Sequence, residues 1–299
     1  MRMACVAFDL DATIGNFEVI GYLAHLWSID HINMAEQRNG DKSCTLSIAL
    51  KTTLERVKET FASYLFHDKD ILNLIIRPNI HELFGPLLEA KRSRHLKTII
   101  IYSNTGVTYT VDLAEYLLEH MFNTSKLFSV KADWWHPLRT ADKVTIRGEQ
   151  IMHKRIETLQ LLFQKGLKSK KKIPLGNILF IDDRVPRHTL IQQIPEGLTY
   201  LVPTPFEPTI PLKQKEYILF MAFTAMQKHG LLENKEYLDS RFCHRNIYLS
   251  RDTSVKIDSL PELFGTVSGF IKHAEGIPWQ SDSATLRKGM REFLKQSKP

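Results

Sequence analysis

Residues 4–13 read Ala4-Cys5-Val6-Ala7-Phe8-Asp9-Leu10-Asp11-Ala12-Thr13. A short apolar run leads directly into two aspartates one residue apart, then a threonine. In an extended chain, side chains alternate between faces, so Asp9 and Asp11 leave on the same side. Two carboxylates at the end of a buried segment are unstable together unless a cation or a proton neutralises them. The carboxyl end of a first parallel strand is also where open α/β sheets place their chemistry.

Three further apolar runs read as buried parallel strands: Thr98–Tyr102, Ile178–Ile181 and Leu198–Val202. The first strand is read as Cys5–Leu10, and Leu127–Val130 is a weaker fifth candidate. Helical patterns lie between them, which predicts an α/β chain with a Rossmann-like, doubly wound parallel sheet. The stretch between the first two strands is too long for one crossover. Within it, Phe17–Trp27 and Thr45–Leu65 look helical, the latter with Leu46, Ala49, Leu50, Leu54, Val57 and Phe61 on one stripe. Asn39-Gly40-Asp41-Lys42-Ser43 between them reads as a turn or loop. Arg77-Pro78-Asn79 then starts a helix over Ile80–Ala90.

Pro203-Thr204-Pro205-Phe206-Glu207-Pro208 is a stiff, extended linker. Beyond it, Lys213–His229, Ala284–Lys295 and part of Pro261–Ala274 look helical. The predicted organisation is therefore a core of residues 1–15 and 77–206, a helical cap insertion over 16–76, and a mostly helical C-terminal extension over 207–299.

Composition sets bounds on function. The 299 residues are 43% hydrophobic and 24% charged, as in globular rather than disordered chains. A formal charge of +7 suits an anionic substrate without requiring nucleic acid. Three cysteines, Cys5, Cys44 and Cys243, form neither a disulfide framework nor a zinc signature, so a reducing, intracellular compartment (cytoplasm or nucleus) is the simplest reading. Neither a membrane span nor a secretory leader is expected, and no membrane partner.

Polar clusters end the other strands too: Ser103-Asn104-Thr105-Gly106 after the second, Asp182-Asp183-Arg184 after Ile178–Ile181. A parallel sheet aligns the carboxyl ends of neighbouring strands along one edge. Asp9, Asp11, Ser103, Asn104, Asp182 and Asp183 can therefore converge. Four carboxylates in one crevice call for a divalent cation, and an all-oxygen donor set suits Mg²⁺. A hydroxyl and an amide beside it suit phosphate oxygens.

In order and form, Asp9-Leu10-Asp11-Ala12-Thr13, Ser103-Asn104-Thr105, a lysine and Asp182-Asp183 resemble the motifs of the haloacid-dehalogenase-like (HAD) hydrolases. Arg77-Pro78 before the second strand and Tyr102-Ser103-Asn104-Thr105 look most like the branch of the RNA polymerase II C-terminal-domain phosphatases and their small relatives. The resemblance covers roughly residues 4–206. It implies an aspartyl-phosphate formed on Asp9. Asp11 would be the general acid and then the base. Mg²⁺ would be held by the Asp9 side chain, the Asp11 backbone carbonyl and Asp182, with Asp183 in support. Thr13, Ser103 and Asn104 fall in the phosphate-binding motifs, Ser103 acting with its adjacent backbone N–H. A lysine would neutralise the pentacoordinate state. His153-Lys154-Arg155-Ile156-Glu157 opens a suitable helix and Lys154 is chosen; Lys143, Lys165 and Lys168 are the alternatives. Ala12 stands where that branch usually has Glu, and Arg184-Val185-Pro186 where it usually has Ser-Pro.

Each motif alone has a plainer reading: a turn and helix cap for Ser103–Gly106, an N-cap pair for Asp182-Asp183, a solvated lysine for Lys154. Lys165–Lys172 reads as a solvated basic loop, with a polyanion contact as the sharper alternative. Trp134-Trp135-His136 reads as local packing before base stacking, and His188 as a surface histidine. The Cys243-His244 pair lacks partners at metal-ligand spacing. The function implied is a phosphatase acting on phosphoprotein serine or threonine. The alternatives are a nucleotide or nucleic-acid 3′-end phosphatase, and a catalytically silent HAD-like binding module.

Overall fold

The computed structural model describes residues 4–24, 26–27, 46–146, 149–185, 194–208, 210–238, 246–248 and 254–256. The expected helices at Pro261–Ala274 and Ala284–Lys295, His188, and the Cys243-His244 pair lie outside the described residues.

A five-stranded, wholly parallel sheet organises the first of two compact units, residues 4–17 and 75–208. Its strands are β1 (Ala4–Phe8), β2 (Leu96–Tyr102), β3 (Val130–Ala132), β6 (Ile178–Ile181) and β7 (Thr199–Leu201), in the order β3-β2-β1-β6-β7. Two short strands, β4 (Lys143–Ile146) and β5 (Glu149–Met152), form a separate antiparallel pair that the sequence reading did not anticipate. The α/β class and doubly wound topology are those expected from the alternating apolar runs. β1 and β6 are buried along their whole length, as strands covered on both faces must be. Leu159, Leu162 and Phe163 of the helix Ile156–Gly166 pack on Ile100, Val130, Ile178 and Phe180. Each such large apolar side chain, fully buried, contributes about 1.5–3 kcal/mol.

Some boundaries differ from expectation. β1 ends at Phe8, so the alternating geometry stops before Asp9, and Asp11 lies in the turn beyond. The fifth strand starts at Val130 rather than Leu127, because Lys126 takes a left-handed conformation (φ 53°) and pairing with β2 begins at Ile100 opposite Val130. The helix after Lys154 starts at Ile156 with Arg155 as its cap, so Lys154 precedes the helix instead of opening it. Lys143, expected in a loop, begins β4.

The second unit comprises, among the described residues, 18–74 and 210 onward. The expected insertion and the start of the expected C-terminal region therefore fall in the same unit. Its main elements are the helices Ile48–His67 and Leu212–Lys228. Leu50, Leu54, Val57, Phe61 and Leu65 form the buried stripe of the first, while Ala49, about 100° of helix turn from Leu50, is exposed. Ile218, Met221, Ala222, Ala225 and Met226 are buried on the second. Among the described residues, no helix is long and apolar enough to cross a membrane.

Candidate active site

The register of the sheet brings the functional side chains together. Phe8 pairs with Ile181 on β6 and with Ile101 on β2. Asp9 and Asp182 therefore leave adjacent strands at the same level, and the Asp9 N–H donates to the Ile181 carbonyl at 2.8 Å. Chain order reverses on either side of β1, and the crevice at that reversal is where open α/β sheets bind ligands.

Carboxylate oxygens of Asp9, Asp182 and Asp183 all lie within 4.8 Å of one another. Lys154, which is buried, projects between two of them: Nζ is 2.8 Å from Asp9 Oδ1 and 2.6 Å from Asp182 Oδ2. The contact to Asp182 is a hydrogen bond. The contact to Asp9 is a close charge pair without hydrogen-bond alignment, so Oδ1 is buried with no hydrogen-bond partner. Asp182 Oδ1 accepts from the Arg184 N–H at 3.0 Å.

Three carboxylates against one ammonium leave excess negative charge. Burial, then the charges of Asp9 and Asp182, push the Asp183 carboxyl up to about 7. Burial likewise raises Asp182, with the Lys154 ammonium opposing it. Burial alone would lower Lys154, but Asp182 and Asp9 outweigh it and hold the ammonium above its ordinary value. The excess charge, the all-oxygen donors and the poorly satisfied Asp9 Oδ1 fit a hard divalent cation such as Mg²⁺. Asp9, Asp182 and Asp183 are the side chains that could hold it.

Thr13 serves this cluster. Its hydroxyl donates to Asp183 Oδ1 at 3.0 Å and accepts from the Asp183 N–H at 2.9 Å. The turn that carries Thr13 is fixed from behind by Arg77. The Arg77 guanidinium donates to the carbonyls of Thr13 (2.7 Å), Ala12 (2.6 Å) and Thr204 (2.8 Å). Ala12 is thereby held at φ 58°, a conformation that costs a non-glycine residue about 1–2 kcal/mol. This role of Arg77 has no signal in the sequence beyond its place in the Arg77-Pro78 motif. Asp11 sits half-buried in the same turn, bridged to Gly15, and its carboxylate is outside the acidic cluster.

Ser103 is buried beyond β2. Its oxygen accepts from the Thr105 N–H at 3.3 Å, which leaves the hydroxyl proton to donate elsewhere. The Asn104 side chain is occupied: its amide donates to the Met152 carbonyl at 3.1 Å and its oxygen accepts from Arg139 at 2.5 Å. One N–H of the Asn104 amide is thus a structural tie, while its second amide N–H and its backbone N–H have no such bond among the described residues. The alternative lysines lie elsewhere. Lys143 stands over the Trp135 ring at 5.7 Å. Lys165 is exposed beside His136 Nε2 at 2.9 Å, and Lys168 is in the exposed turn that follows its helix. Trp134 and Trp135 are half-buried and tied to the second motif: the Trp134 N–H donates to Thr105 and Trp135 Nε1 to Gly106.

No family model and no curated protein matches the chain. Among solved structures, CbbY from Rhodobacter sphaeroides in complex with phosphate is similar at 16% identity over 69% of this chain and 95% of that one, with a TM-score of 0.32. So loose an overlap assigns no activity. The functional reading rests on the side chains.

Proposed function

We propose that this chain is a Mg²⁺-dependent phosphoric monoester hydrolase of the HAD-like kind, acting through an aspartyl-phosphate on Asp9. The observation that carries the reading is the Lys154 ammonium set between Asp9 and Asp182, with Asp183 in the same crevice. A buried lysine among three carboxylates is a costly arrangement for stability alone. It is an economical one for receiving a phosphoryl group.

In this reading Asp9 attacks phosphorus, and the bond from phosphorus to the alcohol oxygen breaks. The leaving oxygen takes the proton of Asp11. Water then gives a proton to Asp11 while its oxygen attacks the same phosphorus. The bond from Asp9 to phosphorus breaks, inorganic phosphate leaves, and both aspartates regain their starting forms. Lys154 neutralises charge on the phosphoryl oxygens as the pentacoordinate state forms, and Ser103 donates its hydroxyl proton to one of them. A bound Mg²⁺, held by Asp9, Asp182 and Asp183, would offset the carboxylate charge and polarise the phosphoryl oxygens.

The substrate class we propose is phosphoprotein serine or threonine, supported by the motif forms Asp9-Leu10-Asp11-Ala12-Thr13 and Tyr102-Ser103-Asn104-Thr105. The test has two stages. Turnover of a generic aryl phosphate with Mg²⁺ is compared between the chain and Asp9→Asn; loss to background is expected, and equal rates refute the nucleophile. A phosphoserine peptide is then compared with a 3′-phosphorylated oligonucleotide. Preference for the oligonucleotide replaces the substrate class and leaves the chemistry standing.

A further inference from the structure

The chemistry above leaves unused a fully buried ion pair, Arg139 with Asp142, at 2.8 Å between Nε and Oδ2. Such a pair recovers little net stability over apolar side chains of the same volume. Its connections are specific. The terminal guanidinium nitrogens of Arg139 donate to the backbone carbonyl of Ser103 and to Asn104 Oδ1. Asp142 accepts from the Tyr102 hydroxyl at 2.7 Å and from the Thr158 hydroxyl at 2.6 Å. The Tyr102 oxygen in turn accepts from the Arg155 N–H at 2.8 Å. Asn104 closes the circuit on the Met152 carbonyl.

One end of this network is therefore the loop that offers Ser103, and the other is residues 152–155, which carry Lys154. The peptide between Ser103 and Asn104 is trans, so turning its carbonyl to Arg139 points the Asn104 N–H the opposite way. Among the described residues that N–H donates to no other group. Burial, then the Asp142 charge, push the Tyr102 hydroxyl well above its ordinary value, so it stays a donor to Asp142 at any physiological pH.

We infer that Arg139 and Asp142 are positioning residues: they aim the Ser103–Asn104 peptide at the phosphoryl group and hold it in register with Lys154. The inference rests on the phosphatase reading. Arg139 touches no reacting atom, and acts by fixing where a donor points.

The experiment compares Arg139→Met, Arg139→Lys, Arg139→Ala and Tyr102→Phe with the unaltered chain, on an aryl phosphate with Mg²⁺, alongside thermal unfolding. Loss of one aimed donor costs about 10²-fold in kcat, so Arg139→Met is expected to fall by that amount while KM stays within roughly threefold. Arg139→Lys recovers little, because one ammonium cannot serve both oxygens. Added guanidinium ion, and not ammonium, raises the rate of Arg139→Ala. A purely structural role would lower the unfolding temperature and leave kcat per folded molecule unchanged, which overturns the inference. Should the Arg139 variants not fold, Tyr102→Phe decides. It keeps the ring stacked on Phe180 at 5.8 Å and removes only the hydroxyl. A fall of roughly tenfold in kcat supports the inference, as fits loss of an indirect contact, and an unchanged kcat overturns it. An inactive unaltered chain overturns the phosphatase reading and this inference together; an active one with unchanged variants overturns this inference alone.

Discussion

Lys154 reaches Asp9 from outside any helix or main-sheet strand: its Nζ stands 2.8 Å from Asp9 Oδ1, although the lysine precedes the helix Ile156–Gly166 and the aspartate follows β1. Both groups are nearly inaccessible, and the carboxylates of Asp182 and Asp9 hold the buried ammonium above its ordinary value. Replacing Lys154 with Met strands Asp9 and Asp182 as buried like charges. Breaking a buried pair in this way costs about 3–5 kcal/mol. Urea unfolding near pH 7 without divalent cations is expected to show that loss, and Mg²⁺ to restore part of it. An unchanged midpoint would mean that the ammonium does not hold the carboxylates together.

The carboxyl groups also set a pH dependence. Asp183 is raised from 3.8 to about 7, and Asp182 is raised with it. A carboxyl whose folded value lies above its unfolded one gives stability that is fully present below the unfolded value and lost as pH rises through the folded value. The metal-free protein should therefore lose stability between about pH 4 and about pH 7. Stabilisation by Mg²⁺ should grow over the same window, since a cation held by these groups would favour their ionised forms. Thermal unfolding against pH checks both slopes, and Asp183→Asn should flatten the first.

Thr13 can be tested by shape. Thr13→Val keeps the volume and removes the hydroxyl that both donates to and accepts from Asp183. An unsatisfied buried group costs about 1–3 kcal/mol, so Thr13→Val should be destabilised by that much and bind Mg²⁺ more weakly. Thr13→Ser should retain both properties. Calorimetric titration of the metal-free protein with Mg²⁺ reads the second effect directly.

Gly15 is required by a close approach. A Cβ there would stand 2.3 Å from the Ile75 carbonyl oxygen, which is backbone and cannot rotate away. The same turn is tied by the Asn16 N–H to that carbonyl at 2.7 Å. Gly15→Ala should force the Asp11–Gly15 turn to move, at about 1–3 kcal/mol. It should also lower aryl phosphate turnover more than Gly85→Ala, where an added Cβ meets nothing.

The main sheet was legible because its central strands are buried on both faces and read as unbroken apolar runs. The acidic residues were legible because they follow those runs directly: Asp9 after Phe8, Asp182 after Ile181. Lys154 could be chosen but not placed. The β4–β5 pair is built from segments of only four residues, so the β-branched Val144-Thr145-Ile146 and the Arg147-Gly148 that follows were too short a signal to stand out from a loop. Arg139 and Asp142 were invisible for a different reason. An acid and a base three residues apart look like a solvated helical face, while the partners that bury them, Ser103, Asn104 and Tyr102, lie 35–40 residues away in sequence. Arg77 was read as a motif residue, yet its carbonyl contacts span 64, 65 and 127 residues of chain, to Thr13, Ala12 and Thr204.

The central claim is that Asp9 carries the phosphoryl group. The most direct measurement is acid quench of the protein during turnover of an aryl phosphate with Mg²⁺, followed by peptide mass mapping. The account expects one added phosphoryl group on the peptide containing Asp9, removed by hydroxylamine as an acyl phosphate is, and absent from Asp9→Asn. Turnover with the added group on another residue, or with Asp9→Asn as active as the unaltered chain, would contradict it.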